Sequence, residues 1–381
     1  MLTPTVDVLV VGAGPAGLTT AVVLAQHGRS VTLVDAQAEG ANTSRAAVVH
    51  PRTLELLEPY GVAAPLVAKG VHTPRFTIRD RDRVLLSVPF GQLPTAYPYT
   101  LMISQADTEA ALLARFQQLG GMVLRPARVA AIAQDDAGVT ATLDDGREIR
   151  AGYLVGADGM HSTVRESVGI GFDGAAYAES FVLADVRLSG GVPQGEVMLY
   201  FSPAGLVVLA PLPGGSYRIV ATVDEAPAQP DTAFVQRLLD VRGPRAEPVV
   251  VHEVRWGSRF RVHHRIADTY RRGRVLLAGD AAHVHSPAGG QGMNLGIGDA
   301  VALGEALDGV LGGASDDELD AYAARQRGFA EQVVSMADRL TTLATIAAAR
   351  RPLRNLALGV VGRVPAVRHR LAWQLSGLNR R

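Results

Sequence analysis

Residues 273–300, Gly-Arg-Val-Leu-Leu-Ala-Gly-Asp-Ala-Ala-His-Val-His-Ser-Pro-Ala-Gly-Gly-Gln-Gly-Met-Asn-Leu-Gly-Ile-Gly-Asp-Ala, restrict the fold more tightly than any other stretch. Val275 to Ala278 form an apolar run that reads as a buried strand, and Gly279-Asp280 makes an acidic turn. Gly289, Gly290 and Gly292 mark a bend, after which Met293, Ile297 and Val301 recur at four-residue steps, as do Leu303, Leu307 and Leu311. That spacing predicts a helix. A carboxylate accepts hydrogen bonds from sugar-like hydroxyls, and bare N–H groups at a helix start favour negative charge. Strand, acid and glycine-wrapped helix start together suit a hydroxyl-bearing, partly anionic ligand.

A second unit of this kind opens the chain. Val6 to Val11 is a short apolar run ending in Gly-Ala-Gly-Pro-Ala-Gly at 12–17. A helical pattern through Leu18, Val22 and Ala25 is broken by Gly28, and a second run, Ser30 to Val34, closes on Asp35. In this strand–helix–strand unit Gly12 permits a tight turn, Gly14 admits a pyrophosphate close to the backbone, and Gly17 lets helix pack on strand. Asp35, 18 residues after Gly17, is placed to accept from a ribose hydroxyl.

Between these units the texture alternates. From Thr73 to Ile103 short alternating runs split by Pro89, Pro94 and Pro98 suggest antiparallel strands. A helix is expected from Gln105 to Leu119, then strands at 122–124, 128–133 and 139–143, and another buried strand at 153–156. Alternating β texture returns from Phe172 to Arg265, and the tail from Asp316 onward is helical in pattern. The expected class is α/β. Its discontinuous ligand-binding module comprises residues 1–73, 101–171 and 266–330, its interleaved β-rich module residues 74–100 and 172–265, and its C-terminal helical segment residues 331–381.

Composition removes several function classes. Basic and acidic residues balance at 37 each, which argues against nucleic acid as a partner. The chain has no cysteine, so disulfides, thiolate metal sites, dithiol redox relays and cysteinyl cofactor attachment are excluded. His283 and His285 lie two apart without a carboxylate–histidine set at helical spacing, so they read as structural and no metal is expected. No charged-then-apolar leader precedes Val6, and the most apolar late stretch, Asn355 to Val367, is short and contains Arg363. A soluble, cytoplasmic protein without a transmembrane segment is expected. Nine arginines and no acid follow Asp338. That tail reads as a solvated face capping the fold, with docking on a membrane surface or partner left open.

Taken in order, the Gly-x-Gly-x-x-Gly with Asp35, the Asp158-Gly159 segment and the Gly279-Asp280 segment closely resemble the FAD-dependent aromatic hydroxylases. These are the group A flavoprotein monooxygenases of the para-hydroxybenzoate hydroxylase fold. The resemblance extends over roughly residues 5–340 and is nearest in texture to bacterial members that tailor polyketides and antibiotics. It implies a Rossmann-like FAD-binding domain with an interleaved β-rich substrate domain and a helical C-terminal tail. It also implies non-covalent FAD, and NADPH or NADH as a transient reductant. A small aromatic substrate and O2 would react through a flavin 4a-hydroperoxide, in a monomer or homodimer.

Carried onto this chain, the resemblance places Gly12, Gly14, Pro15, Ala16 and Gly17 along the FAD pyrophosphate and Asp35 on the adenosine ribose. Arg45 would meet the pyrophosphate, Gln105 would lie near the ribityl chain, and Asp158 would serve both FAD and the nicotinamide. Asp280 would hold the ribityl hydroxyls, and Pro287 with Gly290, Gln291, Gly292, Met293 and Asn294 would abut the isoalloxazine ring. Gly298 stands where many relatives carry glutamine. Inside the Asp-Gly segment, His161 and Arg165 read equally as structural or nicotinamide-linked, and His50 as a core or a substrate-facing histidine. No catalytic side chain is named. No second strand-preceded Gly-x-Gly-x-x-Gly is found, so the nicotinamide has no nucleotide domain of its own. A halogenase is disfavoured, because the only tryptophans, Trp256 and Trp373, are far apart. A flavin-linked oxidase or reductase of the same fold, and a catalytically inactive flavin-bound binding protein, remain as alternatives.

Overall fold

In the computed structural model, which describes residues 5–40, 46–202, 204–223 and 226–381, the chain is mixed α/β and builds three sheets. The first has eight strands. Its central order runs Arg271–Arg272, Val275–Leu277, Glu148–Gly156, Thr5–Val11, Val31–Val34, Val123–Leu124. All neighbours in that row are parallel except the first pair. Val8, Leu9, Val10, Leu154, Val155 and Leu276 have no exposed surface, as expected of strands covered on both faces. Val129–Asp135 and Gly138–Leu143 extend this sheet as an antiparallel pair beside Glu148–Gly156.

Register fixes where the motifs emerge. Val11 lies opposite Gly156 on one side and Val34 on the other, and Gly156 lies opposite Leu277. The turns beginning at Gly12, Ala157 and Gly279, and the carboxylate of Asp35, therefore leave four adjacent strands at one C-terminal edge. Crevices at such edges are where open parallel sheets take ligands.

The helices Pro15–Gln26 and Gly292–Leu311 pack together behind this edge. Every residue from Gly17 to Leu24 is buried, and so are Ile297, Val301, Leu303 and Leu307. Gly304 sets the closeness: a methyl there would lie 2.6 Å from Val23 Cγ1. The helix expected at 105–119 is present as Gln105–Gln118, and the Ser104 hydroxyl accepts from the Asp107 N–H at 3.0 Å to cap it.

The second sheet also has eight strands, in the order His283–Val284, Val250–Ala267, Phe172–Ser189, Ser216–Val223, Gly205–Leu212, Glu196–Ser202, Arg75–Asp80, Arg83–Pro89. The expected antiparallel texture holds with one exception, a parallel junction between Arg75–Asp80 and Glu196–Ser202. Two features are longer or different from the sequence reading. Phe172–Ser189 and Val250–Ala267 are 18-residue strands paired along their length, and a helix, Thr232–Arg242, interrupts the β texture. A small third sheet joins Val48–Val49, Thr100–Met102 and Val71–Thr73.

The tail forms Asp317–Thr345, Arg351–Val361 and Pro365–Leu375. The last two pack on the strand Arg83–Pro89 and so do more than cap a solvated face. Among the described residues no helix is long and apolar enough to cross a membrane.

Candidate active site: a glycine edge backed by an apolar cavity

The glycine turn separates into positions that need glycine for packing and one that leaves space. Gly12 has φ +101°, and a methyl there would lie 2.3 Å from the Ala157 carbonyl oxygen. At Gly17 a methyl would lie 1.8 Å from the Gly12 oxygen, whereas at Gly14 it would meet nothing within 4 Å. Pro15 opens the following helix, no side chain caps its start, and its first turn carries no acid. Its positive end faces the open ground over Gly14.

Asp35 braces this turn. Its Oδ2 accepts from the Ala13 N–H at 2.6 Å and its Oδ1 from the Gln37 N–H at 2.7 Å. Nearby, Gln105 Nε2 donates to Glu109 Oε1 at 2.9 Å. Burial, with a smaller contribution from the charge of Asp35, holds the Glu109 carboxyl above its ordinary range. Sequence reading did not find Glu109. Arg45 lies outside the described residues.

Asp158 turns toward its own loop. It accepts from the Ser162 hydroxyl at 2.5 Å and the Val164 N–H at 3.1 Å, and burial raises its pKa. Arg165, buried, donates to the carbonyls of Met160 and Ala281, both at 3.0 Å, with Phe172 stacked 3.9 Å beneath its guanidinium. The guanidinium ties the Asp-Gly loop to the Gly-Asp turn, a structural role. His161 is exposed.

The Gly279-Asp280 turn is locked from below by a residue the sequence reading missed. Asp299 Oδ2 accepts from the Gly279 N–H at 3.1 Å and meets His283 Nε2 at 2.6 Å. Neither side chain of this pair is exposed. Burial opposes a charge on His283, but the Asp299 carboxylate outweighs it and raises the pKa. Asp280 itself stands exposed at the edge.

Beyond the turn, the bend is closed by a Gly290 N–H to Pro287 carbonyl bond of 2.9 Å. Asn294 accepts from the His50 N–H at 2.7 Å and donates to the carbonyls of Val48 and Gly290 at 2.9 and 2.8 Å. Gln291, with no exposed surface, donates to the Leu375 carbonyl at 3.0 Å and accepts from Arg380 Nη2 at 3.1 Å. The side chains of Asn294 and Gln291 thus hold the bend from behind, facing the third sheet and the tail. Gly292 and Met293 are half-buried at the start of a helix with no side-chain cap and no acid in its first turn. His50 Nε2 lies 3.0 Å from the Gly289 oxygen, and burial drops its pKa to about 4. His285 is likewise pushed down to about 4 by burial, so both rings are neutral near pH 7. His283 and His285 stack at 6.4 Å, and among the described residues no group of three or more His, Asp or Glu is arranged to hold a metal.

Behind the bend lies a cavity with about 1350 Å³ of space free of protein atoms, its mouth included. Phe76, Val88, Phe181, Leu199 and Val208 line it from the second sheet, and Leu375 lines it from the tail. Its polar points are few. Arg218 there is buried and grips Asp185 through two bonds of 2.7 and 2.8 Å, while its Nη1 donates to the Ala46 carbonyl at 2.9 Å. Pro287, Gly289, Gly290 and His50 belong to the same lining.

The FAD binding domain family description matches residues 5–337. The chain belongs to that family. Within and around the family it is 39% identical, over 355 residues, to 6-methylpretetramide 4-monooxygenase of Streptomyces rimosus, covering 91% of this chain and 64% of that protein. It is 36% identical to the 12-dehydrotetracycline 5-monooxygenase/anhydrotetracycline 6-monooxygenase of Streptomyces rimosus subsp. rimosus, covering 98% and 76%. The chain therefore spans about two thirds to three quarters of the length of these curated relatives. Among solved structures, p-nitrophenol 4-monooxygenase from Pseudomonas putida superposes with a TM-score of 0.85 at 28% identity, covering 98% of both chains. The OxyS anhydrotetracycline hydroxylase from Streptomyces rimosus gives 0.81 at 34% identity, covering 99% of this chain and 76% of that one. The glycine edge fits the family's cofactor. There is open space over Gly14, an uncapped helix start behind it, an exposed carboxylate at Asp280 and a second uncapped helix start at Gly292.

Proposed function

We propose that this family member is a monooxygenase that uses FAD, NADPH or NADH, and O2 to hydroxylate an aromatic, polyketide-like substrate. One observation carries the reading. Pro287 and Gly290, expected against the flavin ring, also line the apolar cavity, together with Gly289 between them. A ring system in that cavity would lie against this bend. The relatives named for tetracycline intermediates support a fused-ring substrate, and the cavity lining supports one with little charge.

Bound FAD supplies a ring that takes electrons from reduced nicotinamide and activates dioxygen. The protein's share is positioning and exclusion of water. Gly12, Gly14, Pro15, Ala16 and Gly17, with Arg45, would hold the pyrophosphate, and Asp35 the adenosine ribose. Gln105 and Asp280 would hold the ribityl hydroxyls, and Asp158 would shape the loop beside them. The N–H groups at Gly292 and Met293 would favour negative charge on a ring held there. His50, neutral near pH 7 because burial lowers its pKa to about 4, holds the Gly289 carbonyl and adds no charge to the cavity. Among the described residues Arg218, held by Asp185, is the one permanently charged side chain in that lining and gives an oriented polar point for a substrate hydroxyl or carbonyl. In this reading residues 1–73, 101–171 and 266–330 carry the cofactor, and residues 74–100 and 172–265 carry the substrate. Residues 331–381 close the cavity from the far side. The nicotinamide visits transiently.

The deciding experiment supplies NADPH, isotopically labelled O2 and a panel of phenols and fused-ring aromatics. Label in a new hydroxyl of the product is expected. Label found only in hydrogen peroxide would mean an oxidase and would end the hydroxylase reading. Reductant consumption indifferent to every aromatic would favour a flavin-bound binding protein.

A further inference from the structure

The tail helix Arg351–Val361 is built inside out. A surface helix ordinarily turns its apolar stripe to the core and its polar face to water. Here Arg354 and Asn355 point inward and are buried. Arg354 donates to the carbonyls of Leu343 and Phe201 at 2.9 and 3.1 Å, and Asn355 donates to Asp80 at 2.9 Å. Leu353, Leu356 and Val360 share the opposite face and are 69%, 58% and 57% exposed. Val361 at the end of this helix, Val364 just beyond it and Leu343 in the preceding long helix are exposed as well. Six of the ten large apolar side chains exposed among the described residues thus fall between 343 and 364. A concentration of exposed apolar side chains of this kind marks a contact surface.

The surrounding charge selects the partner. No aspartate or glutamate follows Asp338, and Arg339, Arg350, Arg363 and Arg370 are exposed in this segment. An apolar helix face with exposed arginines before and after it, and with its nearest carboxylate, Asp80, bonded on the buried side, matches a surface that offers hydrocarbon beneath a layer of anions. We propose that Arg351–Val361 docks the protein on an anionic lipid bilayer, with Leu353, Leu356 and Val360 sunk between headgroups and the arginines on the phosphates. The docking is independent of the reaction proposed above. It also places the cavity close to the bilayer. The docking helix packs on the strand Arg83–Pro89, and Leu86 and Val88 of that strand line the cavity.

The test uses the flavin-loaded protein with vesicles of phosphatidylcholine alone, or of phosphatidylcholine with phosphatidylglycerol. Sedimentation with the anionic vesicles is expected to exceed that with the neutral ones by about tenfold or more. The triple variant Leu353→Glu, Leu356→Glu, Val360→Glu changes only exposed positions. It is expected to stay in the supernatant while keeping its melting temperature and flavin content. The variant Arg350→Gln, Arg363→Gln, Arg370→Gln keeps the ridge and is expected to lose the preference for anionic vesicles. Failure to sediment with either vesicle, or equal sedimentation with both, overturns the proposal. So does light scattering that shows a dimer which the triple glutamate variant splits, because the ridge then belongs to a second copy.

Discussion

The glycine edge and the apolar cavity meet at Gly289–Gly290, yet they are assembled in different ways. At the edge, each loop is made within a few residues of a strand end and then pinned by one polar side chain. Asp35 pins the first turn, Arg165 joins the second to the third, and Asp299 holds the third. The cavity has no such local unit. Its wall draws on the strands Arg75–Asp80, Gly205–Leu212 and Ser216–Val223 and on the tail helix Pro365–Leu375, and almost all of that contact is apolar. Directional bonds fix where a cofactor's polar atoms go, whereas an apolar wall selects by shape and volume and tolerates substitution.

The largest expected effect tests the edge. Gly17→Ala drives a methyl to 1.8 Å from the Gly12 oxygen, and a loss above about 4 kcal/mol is expected, read as colourless or insoluble protein. Gly14→Ala is its control, with nothing within 4 Å of the new methyl. Stability should stay within about 0.5 kcal/mol. Flavin affinity should fall about tenfold or more if the ligand's backbone approaches there, as flavin fluorescence would show. Equal behaviour of the two variants would erase the distinction between packing and ligand glycines.

Next comes the buried pair. Asp299→Asn removes the charge opposite His283, and a loss of about 3 kcal/mol is expected in urea unfolding. The same pair sets a limb of the pH profile. Because the folded pKa of His283 is raised, its contribution is complete below about pH 6.5 and fades as pH climbs through the folded value. Asp299→Asn should flatten that alkaline decline. The acid limb belongs to His50 and His285, whose folded values are lowered to about 4. Their contribution is intact above about pH 6.5 and is lost toward pH 4, at about 1.4 kcal/mol per pH unit for each ring. His285→Asn should roughly halve the slope; an unchanged slope would place the responsible groups elsewhere.

Cavity changes should leave the edge untouched. Ala210→Phe intrudes on the lining, and flavin content should be unchanged while the response to aromatic substrates drops about tenfold. A matching loss of flavin would show that the two regions are not separable. The smallest effect is expected at Arg381, which meets Glu55 and the Pro94 carbonyl on the surface. Arg381→Ala should cost about 0.5 kcal/mol or less by thermal melting.

These differences track what the sequence could tell. The strand, glycine turn and acid of the edge are contiguous, so their spacing alone described them, as did the four-residue repeat of the helix Gly292–Leu311. Two supporting acids were harder to see. Asp299 sits 20 residues from Gly279 on the inward face of that helix, and Glu109 a turn along from Gln105. Both look like ordinary helix acids until the tertiary fold brings their partners near. The 18-residue strands escaped notice because Asp173, Gly174 and the His263-His264 pair interrupt the alternation expected of a strand. The cavity was illegible for a deeper reason. Its walls come from segments more than a hundred residues apart, and no period or spacing marks an apolar side chain as facing a void rather than a core.

The pairing of Gly156 with Leu277 has one more consequence. The chain departs the first sheet at Gly156 and returns through the short pair Arg271–Arg272 and Val275–Leu277, the latter beside the strand it left, so both ends of the intervening stretch are anchored close together. A loop attached in that manner transmits little strain to its base. The intervening hundred or so residues form a cassette that can be lengthened, reshaped or exchanged while the crevice beneath keeps its geometry. One cofactor platform could thereby serve many different guests.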